Sequence, residues 1–323
     1  MQTEAEIESF LRDAHWGGVP REPLASGYSS RLFYRLHRTE GNPRTAILMR
    51  ANPDQKTEAF VNLAALLRRI DLPAPTIYAS DLVRDLVLME DFGDNPVGQL
   101  LDQGRDPAPF DEDAAAFLAT LHKRFQQSML GGAYKTPLYN AALLTDQTTL
   151  FLDHYYPRLF RRAATARERG GFVQAWQSVL SPLDTLPRSL LLRDFMPDNM
   201  MALSAPVLGH PMGVIDFQDA GIGCVAYDIA SWCEEVRRDG GLARLPQFVA
   251  TYNAQNPAID EKVLLNATRV YAAQRHTRIL GLLVKLDRTE HLPRVWRTVQ
   301  ALLREEALAP VRRWFTSCPP PSL

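Results

Sequence analysis

The sequence predicts an α+β chain in two lobes: a small β-rich N-terminal lobe with one main helix, then a larger and mostly helical lobe. Three observations predict it. Up to about residue 90, short apolar runs alternate with turn residues. Beyond Asp91-Phe92-Gly93-Asp94 the apolar residues take up helical spacing and keep it to the end. The length, 323 residues, suits about two compact units at roughly 150 residues each. The expected division is 1–92 and 93–323, with a hinge at 90–94.

Taken in order, Ile7, Phe10 and Leu11 sit at helical spacing and predict a first helix. Leu32-Phe33-Tyr34-Arg35-Leu36 and Thr45-Ala46-Ile47-Leu48-Met49 flank Gly41-Asn42-Pro43 and read as a hairpin. Asn52-Pro53-Asp54 is a turn and helix start. Phe60, Leu63, Leu66 and Leu67 then mark one face of an amphipathic helix, ended by Pro73 and Pro75. Leu82-Val83 and Leu86-Val87-Leu88-Met89 flank Arg84-Asp85 and predict a second hairpin. Ala115, Leu118 and Leu121 open the helical part. Further helices are expected near 149–166, 172–180, 226–238, 243–254, 260–288 and 294–308. Two short apolar runs interrupt them, Ser189-Leu190-Leu191-Leu192 and Gly213-Val214-Ile215, and each leads straight into acidic residues.

Composition narrows the function classes. Lys and Arg number 36 against 37 Asp and Glu, a net charge of −1, without the basic excess of a nucleic-acid binder. Hydrophobic residues at 46% argue for a globular chain rather than a disordered one. No stretch approaches 18 uncharged apolar residues, so no membrane span is expected. The acidic start Met1-Gln2-Thr3-Glu4-Ala5-Glu6 is not a secretory signal. Cys224, Cys233 and Cys318 lack metal-ligand spacing and are read as thiols of a reducing cytoplasm. The ending Cys318-Pro319-Pro320-Pro321-Ser322-Leu323 is not a prenylation box.

The chemistry concentrates after the first of those interrupting runs, in Leu192-Arg193-Asp194-Phe195-Met196-Pro197-Asp198-Asn199. Asp194 and Asn199 stand five apart in one loop. Asp216 follows Asn199 by seventeen residues, at the end of the next apolar run. An Asp, an Asn five later and an Asp on the following hairpin form the layout of a kinase catalytic centre. Phosphoryl transfer needs Mg²⁺ on hard oxygen ligands, which Asn199 and Asp216 can supply. It also needs an acceptor hydroxyl held in line with its proton drawn off, which suits Asp194.

These motifs resemble the aminoglycoside phosphotransferase family, whose members include choline and sugar kinases of the protein-kinase-like two-lobe fold. The resemblance spans nearly the whole chain. Leu192-Arg193-Asp194 through Asn199 is similar to the family's catalytic loop. Ile215-Asp216-Phe217-Gln218-Asp219-Ala220, with Tyr227-Asp228-Ile229-Ala230-Ser231, is similar to its metal-binding segment and the helix after it. Leu118-Ala119-Thr120-Leu121-His122 resembles the helix after the hinge, and Leu88-Met89-Glu90-Asp91-Phe92-Gly93 the hinge. The resemblance implies a nucleotide-binding N-terminal lobe and a catalytic, acceptor-binding C-terminal lobe. It implies ATP and Mg²⁺, with the adenine at the backbone of Met89, Glu90 and Phe92. Asp194 would be the base, and Asn199 and Asp216 the metal ligands.

Within the family the likeness is greatest to bacterial kinases that phosphorylate the 1-hydroxyl of N-acetylmuramate and N-acetylglucosamine in peptidoglycan recycling. Asp216 to Ala220, Glu235-Val236-Arg237, Ala273-Gln274-Arg275-His276, Ile279-Leu280-Gly281 and Leu292-Pro293-Arg294-Val295-Trp296 carry it. It implies acceptor contacts from Asp219, Glu235, Arg237, Gln274 and Arg275, an Arg serving a lactyl carboxylate. Tyr227-Asp228 is expected to buttress its helix.

The chain departs from the family pattern at four places. Leu192 stands where relatives often have His, and Met196 likewise. Arg50 occupies the place of the strand lysine that grips the phosphates, with Glu58 as its expected ion-pair partner. The phosphate-covering turn Ala25-Ser26-Gly27-Tyr28-Ser29-Ser30-Arg31 has one glycine, leaving Ser29 and Ser30 to meet phosphate. Two alternatives stay open: the same fold with another acceptor (another sugar, choline, homoserine or an aminoglycoside), and a nucleotide-binding pseudokinase. The many Arg residues among Arg161, Arg162, Arg167 and Arg169 count against a polycationic aminoglycoside. No Ala-Pro-Glu segment follows Asp216, which counts against a protein substrate. Composition gives no sign of a nucleic-acid or membrane partner, and the oligomeric state is not assigned.

Overall fold

The computed structural model describes residues 2–24, 31–53, 55–130 and 136–317. Its elements run α1 (Glu4–Asp13), β1 (Arg21–Leu24), β2 (Leu32–His37), β3 (Thr45–Arg50), α2 (Thr57–Arg69), β4 (Ile77–Asp81), β5 (Leu86–Met89), α3 (Val97–Asp102) and α4 (Pro107–Arg124). Then come β6 (Leu138–Tyr139) and α5 (Ala141–Leu150), which passes through a π turn at Phe151–Tyr155 into α6 (Tyr156–Phe160). The chain goes on through α7 (Ala166–Leu180), β7 (Arg188–Leu191), β8 (Met200–Val207), β9 (His210–Val214) and β10 (Gly221–Cys224). It finishes with α8 (Ala226–Cys233), α9 (Gly241–Gln255), α10 (Glu261–Lys285), α11 (Leu292–Leu302) and α12 (Ala309–Ser317).

Two compact units emerge. The first is Met1–Asp113, Ser128–Tyr134 and Pro197–Asp219; the second is Ala114–Gln127, Lys135–Met196 and Ala220–Leu323. The first unit thus continues past residue 92 and takes back the β8–β9 hairpin. The boundary falls inside the loop from Asp194 to Asn199, just after Met196.

In the first unit, five strands form an antiparallel sheet in the order β1-β2-β3-β5-β4. Alternation along β3 sends Ala46 and Leu48 to one face. There they pack with Leu36, Leu86, Leu88, Trp16 and the stripe Ile7, Phe10 and Leu11 of α1. Ile7 and Leu11 are wholly buried, and each such side chain contributes about 1.5–3 kcal/mol. Thr3 and Glu6 close a capping box that starts α1 at its first turn. The amphipathic stripe expected between residues 60 and 67 is α2, with Phe60, Leu63, Leu66 and Leu67 all buried.

The second expected hairpin differs in its first arm. Leu82-Val83 is the turn, and the strand is Ile77–Asp81. The Asp81 carboxylate accepts from the amides of Val83 and Arg84 (3.1 and 3.0 Å), closing the turn early. Val83 is left 94% exposed, so its hydrophobicity marks no strand. Strands β1 and β8 carried no recognised signal. The β8–β9 hairpin turns on Leu208 and Gly209, both at positive φ (52° and 83°), a two-residue loop whose first position is not the usual Asn or Asp.

The second unit holds a three-stranded sheet, β6-β10-β7, and the helices from α5 to α12. The helix expected at 149–166 starts earlier and ends at Phe160, where Arg161 turns left-handed. Likewise α8 stops at Cys233, and the expected 294–308 segment breaks after Leu302. Phe151, Phe172, Trp296, Trp314 and Phe315 form an aromatic core, with centroids 4.8 Å apart for Phe172 and Trp314 and 5.7 Å for Trp296 and Phe315. The Trp314 indole N–H donates to the Glu168 carbonyl at 2.9 Å. Among the described residues, no helix is long and apolar enough to cross a membrane.

Candidate active site

The loop bearing Asp194 is held from beneath. It leaves β7 at Leu191, and the carboxylate of Asp228, in the first turn of α8, accepts from the amides of Leu192 (2.6 Å) and Arg193 (2.9 Å). The Ser231 hydroxyl donates to the Arg193 carbonyl at 3.1 Å. Asp228 is wholly buried. Burial pushes its carboxyl up to about 7, while the two amide bonds and Arg275 pull it down and neighbouring Asp194 pushes it up. Arg193 sits at φ +70°, an uncommon conformation for a side-chain residue that the Asp228 bonds hold in place. On the other side of Asp194, Phe195 is buried between Phe117 (5.5 Å) and Trp232 (5.4 Å). Asp194 therefore lies between two pinned residues.

Leu192 is 1% exposed, so the position where relatives often carry His is filled by packing. The support of the loop falls to Asp228 and Ser231 rather than to a side chain at 192. The hydrogen bonds of the Asp228 carboxylate thus go to the loop, a role the sequence does not predict for it.

Asn199 and Asp216 belong to the first unit, at one end of the β8–β9 hairpin. Met200 pairs with Val214, and one step further the Asn199 carbonyl accepts from the Ile215 amide at 2.9 Å. The ladder thus brings Asn199 and Asp216 to the same end of paired strands. Asp216 sits at φ +61° with its side chain 48% exposed. Its Oδ1 accepts from Gln218 Nε2 at 2.8 Å, and Arg31 Nη1 lies 3.5 Å away. Phe217 stacks flat on Phe60 of α2, 4.9 Å between centroids and 6° between planes, and so ties the Asp216 segment to that helix.

This donor set fits Mg²⁺. Asn199 and Asp216 offer hard oxygens, and among the described residues no group of three or more His, Cys, Asp or Glu forms a cage. A protein that supplies only one or two oxygen ligands and leaves the rest to phosphates and water is what Mg²⁺ sites ordinarily use.

Of the residues expected at the nucleotide, Met89 ends β5, and the Glu90 amide donates to the Thr76 carbonyl at 2.8 Å. The Glu90 carboxylate is clamped by the Thr76 amide and hydroxyl (3.0 and 2.7 Å) and Arg68 (3.3 Å), so that side chain is structural. Arg35 fixes the next residues, with Nε 2.8 Å from Asp91 and Nη1 2.7 Å from Asp94. The Phe92 ring lies against β9 at Gly213, where a Cβ would come within 2.5 Å of it.

Arg50 does not pair with Glu58, which is exposed. Strand alternation puts Arg50 on the same face as Ala46 and Leu48, toward α1. There its guanidinium meets Glu4 (3.8 Å), the Gln2 carbonyl (3.2 Å) and the Tyr34 hydroxyl (3.3 Å). Ser29 and Ser30 lie outside the described residues.

The expected acceptor residues divide. Asp219 belongs to the first unit and forms an ion pair with Lys56, the residue ahead of α2. The other four belong to the second unit. Glu235, almost buried, accepts from the Arg237 amide at 2.8 Å and faces Arg238 at 3.4 Å. Gln274 is wholly buried and its amide donates to the Leu144 carbonyl at 2.9 Å, a bond that docks α10 on α5. Arg275 is 3% exposed, lies over the Tyr227 ring at 5.6 Å and donates to the Glu234 carbonyl at 3.4 Å.

Three charged residues escaped sequence reasoning. Arg31 approaches Asp216, as above; burial works against its charge, and Asp216 and Asp219 work for it. Its position directly after Gly27-Tyr28-Ser29-Ser30 in the sequence and before an apolar strand was the available signal. Arg278 is partly buried, which works against its charge, as do Arg193 and Arg275, while Tyr227 and Asp194 work for it. It lies one helical turn beyond Gln274 in a helix buried nearly all round, where periodicity marks no functional face. Glu234 is buried beside Arg244 and Glu235, and nothing in the sequence separates it from its neighbour.

Comparison with known proteins gives the family and the fold. A sequence profile of the phosphotransferase enzyme family, APH, matches residues 21–264. The chain is 30% identical over 95% of its length, and 89% of the relative's, to an N-acetylmuramate/N-acetylglucosamine kinase of Pseudomonas aeruginosa. It is 27% identical over 90% of its length, and 84% of the relative's, to a protein of the same name from Pseudomonas putida. Among solved structures, the GDP and kanamycin complex of an APH(2″) enzyme matches with a TM-score of 0.65 at 15% identity, covering 94% of this chain and all of that one. A choline/ethanolamine kinase family protein from Mesorhizobium loti matches at 0.63 and 14% identity, covering 96% and 99%. The fold is the protein-kinase-like one of these phosphotransferases, and the chain belongs to the phosphotransferase enzyme family.

Proposed function

We propose that this member of the phosphotransferase enzyme family transfers the γ-phosphoryl group of ATP, with Mg²⁺, to the anomeric hydroxyl of N-acetylmuramate, N-acetylglucosamine or both, giving the sugar 1-phosphate. The carrying observation is the loop that presents Asp194 between two pinned residues and runs directly into the hairpin end bearing Asn199 and Asp216. The names of the relatives above, aligned over nine-tenths or more of the chain, support the acceptor.

In this mechanism Asp194 accepts a hydrogen bond from the C1 hydroxyl and takes its proton as the oxygen bonds to phosphorus and the bond to ADP breaks. Asn199 and Asp216 would hold Mg²⁺, which when bound neutralises phosphate charge. The second unit suits a neutral or anionic sugar. The charge of Asp194 favours that of Arg278, an arginine of the kind that can meet a lactyl carboxylate, and a polycation would find this cation opposed to it. A cytoplasmic setting fits an ATP-dependent enzyme whose Cys224 and Cys233 are buried thiols rather than disulfide partners.

The test is ADP release with ATP and Mg²⁺ against N-acetylmuramate, N-acetylglucosamine, glucose, choline, homoserine and kanamycin. Stimulation by the N-acetyl sugars, with the phosphate at C1 by phosphorus NMR, is the expected result. Stimulation by another acceptor alone would reject the sugar assignment and keep the phosphotransferase.

A further inference from the structure

We infer that Arg31, and not the strand residue Arg50, is the cation that receives the nucleotide's phosphates in this chain. The inference rests on the nucleotide-dependent reading above and adds the residue that reading lacks. Three observations carry it. First, the cation on β3 is committed elsewhere, since Arg50 faces α1 and is engaged by Glu4, Gln2 and Tyr34. Second, Arg31 enters the first unit directly ahead of β2. Its side chain is only 6% exposed, and its guanidinium is aimed at Asp216, with Nη1 3.5 Å from Oδ1. Any phosphate oxygen sharing a divalent ion with Asp216 must come beside that carboxylate, and hence beside Arg31. Third, the guanidinium is already positioned from the back, because Nη2 donates to the Gln55 carbonyl in the turn before α2.

The surroundings keep Arg31 oriented. Lys56, next to Gln55, pairs with Asp219, so the α2 approach and the Asp216 segment are tied twice, by that ion pair and by the Phe60–Phe217 stack. A planar fork with several donors can hold the Gln55 carbonyl with one nitrogen and turn another toward phosphate. Without nucleotide, Asp216 serves as the counter-ion of Arg31. With it, the phosphates take that place.

The test is calorimetric binding of MgADP and of adenosine to the full chain and to Arg31→Ala, Arg31→Gln, Arg31→Lys and Arg50→Ala. A charge-assisted hydrogen bond to phosphate predicts about 10–100-fold weaker MgADP binding in Arg31→Ala and Arg31→Gln, with adenosine affinity unchanged. Arg31→Lys should recover part of the loss, and Arg50→Ala should keep the wild-type ratio of the two affinities. Equal MgADP affinity in the Arg31 variants, or equal loss for adenosine and MgADP, overturns the assignment. If Arg31→Ala fails to fold, Arg31→Gln, which keeps a hydrogen-bond donor and the aliphatic start of the side chain without the charge, decides it. A wild-type chain that binds no MgADP would instead reject the nucleotide reading itself.

Discussion

Gly213→Ala tests how the segment around Phe92 is held. A Cβ at Gly213 would sit 2.5 Å from Cε2 of Phe92 and 2.9 Å from Cδ2 and Cζ. Carbon atoms do not approach so closely, so the ring must move, and with it the backbone expected to meet the base. The β9 backbone raises no objection of its own, since Gly213 is not at positive φ. Replacing a strand glycine with alanine recovers about 0.5–1 kcal/mol of chain entropy. Forcing volume into a packed place costs about 1–3 kcal/mol. The net is a loss of about 0.5–2 kcal/mol, toward the lower end because Phe92 is only partly buried and can swing outward. At about 2–4 °C per kcal/mol, Tm should fall by roughly 1–4 °C, and MgADP affinity should fall with it. In a Phe92→Ala background the space is clear, so the same substitution should be neutral or stabilising. That implies a coupling of about 1–2 kcal/mol by thermal denaturation of all four proteins. If Gly213→Ala cost the same in both backgrounds, Phe92 would not be what excludes a side chain there.

Two further outcomes follow from the second unit. Asp194→Asn keeps the shape of the loop and removes the proton acceptor, so kcat should fall by about 10²–10⁴ with MgADP affinity by calorimetry within about twofold of wild type; comparable turnover would reject the base assignment. Glu234 is pushed up to about 8, first by burial and then by Glu235, against Arg244 and Arg275. A carboxyl with a raised folded pKa stabilises fully below its ordinary value near 4.5 and loses that contribution as pH rises toward 8. Glu234→Gln imitates the protonated acid. It should match wild type in Tm at pH 5 and exceed it by several degrees at pH 8, and a gap that does not widen with pH would show that Glu234 is ionised in the fold.

The first helix and the helix before the second hairpin were legible because apolar stripes are written locally. The Ile7-Phe10-Leu11 and Phe60-Leu63-Leu66-Leu67 stripes declare their helices, and the spacing of Asn199 and Asp216 is that of one hairpin, whose ladder brings both to the same end. What escaped depends on contacts distant in sequence. Asp228 braces Leu192 and Arg193 from 36 and 35 residues away. Gln274 reads as polar and available, yet it is spent on the Leu144 carbonyl across 130 residues. Val83 is as hydrophobic as any strand residue, but Asp81 closes the turn beneath it.

Arg50 obeys a rule legible in the sequence that a likeness to relatives obscures. The residues Ala46, Leu48 and Arg50 share a face of β3 whatever the fold, because strand side chains alternate with period two. Once α1 claims Ala46 and Leu48 for its core, Arg50 must follow them, and a residue at the usual place of the lysine can no longer serve the opposite face. The need for positive charge near the phosphates does not vanish with it. Asp216 presents a carboxylate that is nearly half exposed, and the first unit answers with Arg31, the residue just ahead of β2. Charge can move between elements that converge on one carboxylate more easily than a strand can change the face it buries. A cation at Arg31 serves the electrostatics of the Asp216 end while Arg50 stays with the α1 core, so each arginine is held by the carboxylate its own position faces.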